Sequence, residues 1–78
     1  GVEPFLVTVE PKPGADIHLN AHPGQEFNRV IKGRLKIVIA GHAVVLKAGD
    51  SILFDSSRPH GMAALGGRPA QFLAVITA

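Results

Sequence analysis

The chain has 78 residues, enough for one domain, and a single core of this size buries only about 60% of the unfolded surface, so support from a partner chain is expected. Hydrophobic residues make up 46% of it with only four aromatics (Phe5, Phe27, Phe54 and Phe72), leaving Val, Ile and Leu to supply the bulk, an alphabet that builds strands. A formal net charge of +2, spread over single Lys and Arg residues with no basic run, argues against direct nucleic-acid binding, and zero cysteines exclude a disulfide frame or a thiolate metal site.

No apolar stretch reaches the roughly 20 residues of a membrane span and no signal-peptide pattern opens the chain, so a cytoplasmic placement is expected. The start at Gly1, without methionine, predicts a processed product, a tag remnant or a domain cut from a longer protein.

In chain order, Phe5 to Glu10 alternates and then meets Pro11-Lys12-Pro13-Gly14, which cannot continue a ladder. Ile17 to His22 is predicted as the next strand, closed by Pro23-Gly24. Glu26 to Lys32 passes through Gly33 into Arg34 to Ala40, and Ala40-Gly41 forms the tight turn of a hairpin returning along His42 to Lys47. After Ala48-Gly49-Asp50 come Ser51 to Phe54, the loop Asp55-Ser56-Ser57-Arg58-Pro59, a strand near His60 to Ala64, the Gly66-Gly67 turn and a last strand from Ala70 to Thr77. No segment carries a sustained helical period. Some eight short strands predict an all-β sandwich or barrel, closure being the simplest way to hide edges in so short a chain.

Two imidazoles and a carboxylate stand out. Side chains two apart share one face of a strand, so His18, Asn20 and His22 lie together, and a chain reversal at Pro23-Gly24 returns Glu26 alongside His22. A contact from His60 must come from tertiary folding. If His22, Glu26 and His60 meet, they form a two-histidine, one-carboxylate set with open positions for a ligand. His18 is four residues from His22, about 13 Å along a straight strand, and is placed at a cavity rim rather than in that set. His42 follows a hairpin turn and is expected to be exposed. Asp50 is expected to accept from local amides, and Asp55, Ser56 and Ser57 to be a loop and not catalytic. Phe54 and Met62 are expected to shape a cavity wall, and Arg29 and Arg58 are candidates for holding an anionic ligand.

The runs HPGQEFNRVIKG and KAGDSILFDSSRPHG resemble the two motifs of the cupin superfamily, small jelly-roll β-barrels (double-stranded β-helices, RmlC-like) that carry a metal or small ligand inside. Six residues separate Glu26 from Gly33 as in the first motif, and the Gly49-Asp50 turn followed by Pro59-His60 matches the second. Within the superfamily, GDSILFDSSRPHG and the terminal FLAVIT are most similar to the cupin domain that follows a helix-turn-helix in some bacterial transcription regulators. The resemblance implies a single cupin domain over residues 1–78 and a divalent metal (Fe, Mn, Zn or Ni) on His22, Glu26 and His60, and the ligand-binding residues are expected to be Asn20, Asn28, Arg29, Phe54 and Met62. It departs at Asn20, where the usual motif has another histidine and where a neutral carbonyl oxygen is a poorer ligand, and at Ala64, where an asparagine is frequent. Two function classes follow: a sensory small-molecule-binding domain of a regulator, acting as a homodimer, or a small metalloenzyme (dioxygenase, isomerase or epimerase) acting on a small organic acid. The absence of an obvious general base beyond the triad favours the sensor.

Overall fold

Alternation along the chain becomes seven antiparallel strands in two sheets in the computed structural model, which describes residues 2–12 and 16–77. They are β1 (Val2–Val9), β2 (Gln25–Lys32), β3 (Arg34–Ile39), β4 (His42–Lys47), β5 (Ser51–Asp55), β6 (His60–Ala64) and β7 (Ala70–Thr77). One sheet has the order β1-β7-β2-β5 and the other β4-β3-β6. The turns follow local chemistry: Ala40 and Gly41 both take positive φ (48° and 84°), as a two-residue hairpin of this hand requires. Gly33 also takes positive φ (80°), and a Cβ there would in addition lie 2.6 Å from the Pro69 carbonyl oxygen.

The inward faces are polar at one end and apolar at the other. Along β2, Glu26, Asn28 and Val30 alternate inward, and from Val30 onward the interior is filled by Leu35, Ile37, Leu46, Ala70, Phe72 and Ala74. Packing therefore closes one end of the molecule while the other end carries His60 and Glu26, both buried.

Two expectations are corrected. Ile17 to His22 is not a strand, and its one ladder contact is an isolated antiparallel bridge, Asn20 to His60. The cause is a tertiary contact helped by local chemistry: the His22 amide donates to the Ser56 carbonyl (2.9 Å), which draws the chain off β6, and Pro23 has no N–H with which to continue a ladder. The N-terminal strand, with no hairpin neighbour in sequence and therefore expected to be covered by another chain, pairs along its whole length with β7 of this chain, from Val2↔Thr77 to Val9↔Ala70. That partner is the last strand in sequence, invisible to any hairpin rule. β1 runs from Val2 and tolerates Pro4 because it is an edge strand. Of the connector predicted after it, Pro13 and Gly14 lie outside the described residues.

Candidate metal centre

Each of the three candidate ligands comes from a different kind of structure. Glu26 sits on β2, paired on one side with Phe54 of β5 and on the other with Ile76 of β7, and is 5% exposed. His60 opens β6 and is also 5% exposed. Its amide and carbonyl exchange hydrogen bonds with the Asn20 carbonyl and amide (2.9 and 2.8 Å). His22 lies on the strap from Asp16 to His22, pinned by its own amide to Ser56, while the Ser56 amide donates to the Gly24 carbonyl (3.2 Å). The loop after β5 thus positions both His22 and the turn leading to Glu26.

The side chains converge. His22 Nε2 is 3.0 Å and His60 Nε2 3.6 Å from the same oxygen, Glu26 Oε1, and one ligand atom from each residue lies within 4.8 Å of the others. A single ion about 2.0–2.2 Å from each donor sets neighbouring donors about 3.0–3.5 Å apart, so the 3.0 Å separation falls in that range and the 3.6 Å one just beyond it. The hydrogen-bond pattern fits as well. His60 Nδ1–H donates to the Arg58 carbonyl (2.9 Å), which leaves Nε2, 3.6 Å from Glu26 Oε1, as the ring nitrogen available to ligate an ion. Phe54 (5.0 Å between ring centroids) and His22 (5.1 Å) hold the His60 ring edge-on from two sides. The donor set, nitrogen and oxygen without sulfur, suits divalent iron, manganese, zinc or nickel.

The triad faces a cavity of about 880 Å³. Its walls are Phe5, Val7 and Val9 of β1, Phe72, Ala74 and Ile76 of β7, Met62 and Ala64 of β6, and the strap through Ile17, His18, Asn20 and Ala21. The body of the cavity is apolar and its polar end is the triad. Other ionisable lining groups, Glu10, Lys12, Asp16 and His18, are exposed.

Placement of the remaining predicted residues is mixed. Asn20 and Met62 line the cavity. Phe54 acts one layer behind, against His60. Asn28 is fully buried on the same face of β2 as Glu26, and both polar atoms of its carboxamide lack a protein partner among the described residues. Arg29 is not brought to the site: it points to the opposite, exposed face of β2, as its odd position relative to Glu26 and Asn28 requires. Arg58 is exposed and also absent from the cavity wall, contributing its backbone carbonyl instead. His42 is exposed. Asp50 accepts from the Lys47 amide (3.0 Å), and Asp55 accepts from the Ser57 amide (2.9 Å) and hydroxyl (2.6 Å). The Ser57 hydroxyl first and its amide second hold the Asp55 carboxyl below its ordinary value. Sequence reasoning missed the β7 wall and the backbone roles of Ser56 and Arg58. Alternation along β7 carried a signal for the first, while backbone roles leave none.

Against this geometry, the family model for the cupin domain matches residues 5–76. The chain belongs to the cupin family. Its two sheets are the cupin jelly roll, as expected from the two motifs. The cupin is similar to hydroxypropylphosphonic acid epoxidase from S. wedmorenis in complex with fosfomycin (26% identity, 97% of this chain and 43% of that one, TM-score 0.88). It is likewise similar to Fe(II) HppE with substrate (26%, 97% and 45%, TM-score 0.88) and Co(II) HppE with substrate (27%, 97% and 44%, TM-score 0.86). The chain spans less than half the length of each of these proteins. No curated protein matches it in a sequence comparison. Iron and cobalt in neighbours of this likeness agree with a donor set fit for a divalent ion.

Proposed function

We propose that this cupin holds a divalent metal through His22, Glu26 and His60 and binds a small polar organic molecule that completes the metal's shell, serving as the sensory domain of a bacterial transcription regulator. The observation that carries the binding reading is the convergence of two imidazoles and one carboxylate at the polar end of an otherwise apolar cavity. A bound ion there supplies Lewis acidity and open coordination positions. The protein's own part is to orient the ligand: the apolar walls of β1 and β7 take its carbon body, and Asn20 borders its polar end. With no arginine on the wall, recognition of a polar group falls to the metal and to the exposed Lys12 at the cavity's edge and not to a guanidinium. Sensing is favoured over turnover because, among the described lining residues, the only buried ionisable groups are Glu26 and His60 of the triad. Elemental analysis of untagged protein, followed by a thermal-shift screen of metabolites with and without iron, manganese, zinc or nickel, tests this reading. Metal-dependent stabilisation without consumption of the hit is expected.

A second reading has its own support. The likeness to iron- and cobalt-bound HppE in complex with substrate favours a metalloenzyme acting on a small organic acid. Consumption of a hit over repeated turnovers, abolished by Glu26→Ala, would decide for it.

We further propose a homodimer built on β1. Its outer edge is unpaired, and Val2, Phe5 and Leu6 are exposed at 65%, 44% and 63%. Light scattering at micromolar concentration should give twice the chain mass.

A further inference from the structure

At the end of the molecule away from the triad lies a second concavity of about 560 Å³, bounded by the start of β3, the end of β4 and the β6–β7 turn. Its charged lining residues are Arg34, Lys47 and Arg68. Arg34 and Lys47 stand directly opposite one another in the β3–β4 ladder, an arrangement in which like charges destabilise a sheet. None of β3, β4 and β6 carries an Asp or Glu, and none of the three cations forms a salt bridge among the described residues. The acid closest in sequence to Lys47, Asp50, accepts from the Lys47 backbone amide. The Arg34 guanidinium is also seated: a Cβ at Gly66 would lie 3.0 Å from its Nη2, and the Leu65 amide donates to the Arg34 carbonyl (3.0 Å), so the glycine turn makes room for that side chain.

We propose that this cleft binds a phosphate-class oxyanion carried by a small molecule. Two guanidinium forks and an ammonium offer the bidentate and point contacts that a tetrahedral dianion takes, and a bound anion relieves the Arg34–Lys47 repulsion. A small ligand is favoured over a nucleic-acid backbone because the three charges converge on one concavity instead of forming a stripe. The site is independent of the metal, on other strands and with other residues.

The test is an amide NMR titration of the whole chain, stripped of metal with EDTA, using inorganic phosphate against sodium chloride at constant ionic strength. Saturable shifts confined to the amides around Gly33, Ala48, Gly66 and Gly67 are expected, with a rise in melting temperature. Arg34→Gln and Lys47→Gln, both at exposed positions, should each weaken binding about tenfold, the size of one charge-assisted hydrogen bond, and Arg29→Gln on the other sheet should change nothing. Shifts that fail to saturate, an equal response to chloride, or affinity unmoved by both variants would overturn the proposal. So would binding of a short DNA duplex at this cleft with no response to phosphate.

Discussion

Glu26 and His22 touch at 3.0 Å and are four residues apart, yet they are held by unlike structures. Glu26 rides on β2, hydrogen-bonded to a strand on each side and 5% exposed. Among the described residues, His22 ends a strap whose backbone is tied down only through Asn20 and His22 itself, and its side chain is 31% exposed. A binding site built this way has a floor set in strands, made by Glu26 and His60, and one wall held by fewer backbone hydrogen bonds that carries the third ligand. Affinity and dynamics then separate: the floor sets how strongly an ion is gripped, and the strap sets how readily the cavity opens.

The largest effects test the floor against the strap directly. His60→Ala and Glu26→Ala should each reduce metal affinity by more than the roughly 100-fold that an outer partner carries, whereas His22→Ala, removing the loosely held ligand, should cost less; calorimetric metal titration gives the order. Equal losses for all three would erase the distinction drawn here. Next comes the seat of the strap. At Gly61 a Cβ would collide with the His18 carbonyl and come within 2.6 Å of the Ile17 side chain, so Gly61→Val should lift the strap and destabilise the protein by about 1–3 kcal/mol in chemical denaturation. Hydrogen exchange at the Asn20 and His22 amides should speed up in that variant, and added metal should slow it in the wild type while leaving the amides of β2 unaffected.

A smaller effect is expected on the inner face of β2. Asn28 buries a carboxamide that no described protein group satisfies, so Asn28→Leu should raise thermal stability by about 1 kcal/mol or leave it unchanged. A clear loss of stability would mean that the carboxamide is satisfied by ordered water in solution. The smallest effect lies in the loop that anchors the strap. Because Ser57 lowers the Asp55 carboxyl, the stabilisation is complete above the ordinary carboxylate value of about 3.9 and is lost as pH falls through the lower folded value. Ser57→Ala should move the Asp55 midpoint upward in an NMR carboxyl titration and remove that contribution, so the melting temperature falls slightly near neutrality and the two proteins converge as pH drops below the folded value.

Much of this protein was legible in its residues. Local rules sufficed wherever cause and effect are close in the chain: the Ala40-Gly41 hairpin, the Gly49-Asp50 turn, the alternation of β2 that sends Glu26 and Asn28 inward, and the return of Glu26 to His22 past Pro23-Gly24. The two motifs carried the family because they encode those same turns. Where partners are distant, the residues were silent. The pairing of β1 with β7 joins the two ends of the chain, and His60 reaches Glu26 only once β2 and β6 lie in facing sheets. Period-two alternation says which side chains share a face but not which strand lies beside it. The same limit explains the strap: Ile17 to His22 alternates like a strand, and only the tertiary pull of Ser56 on the His22 amide decides that it crosses β6 at one bridge and leaves. Arg29 marks that boundary too, since its place in the first motif suggested a ligand contact while the pleat, once the core face is known, turns it outward. Sequence therefore determined the strands, their turns and the candidate ligands, and tertiary structure decided their neighbours, because a backbone hydrogen bond is indifferent to the identity of the strand that supplies it.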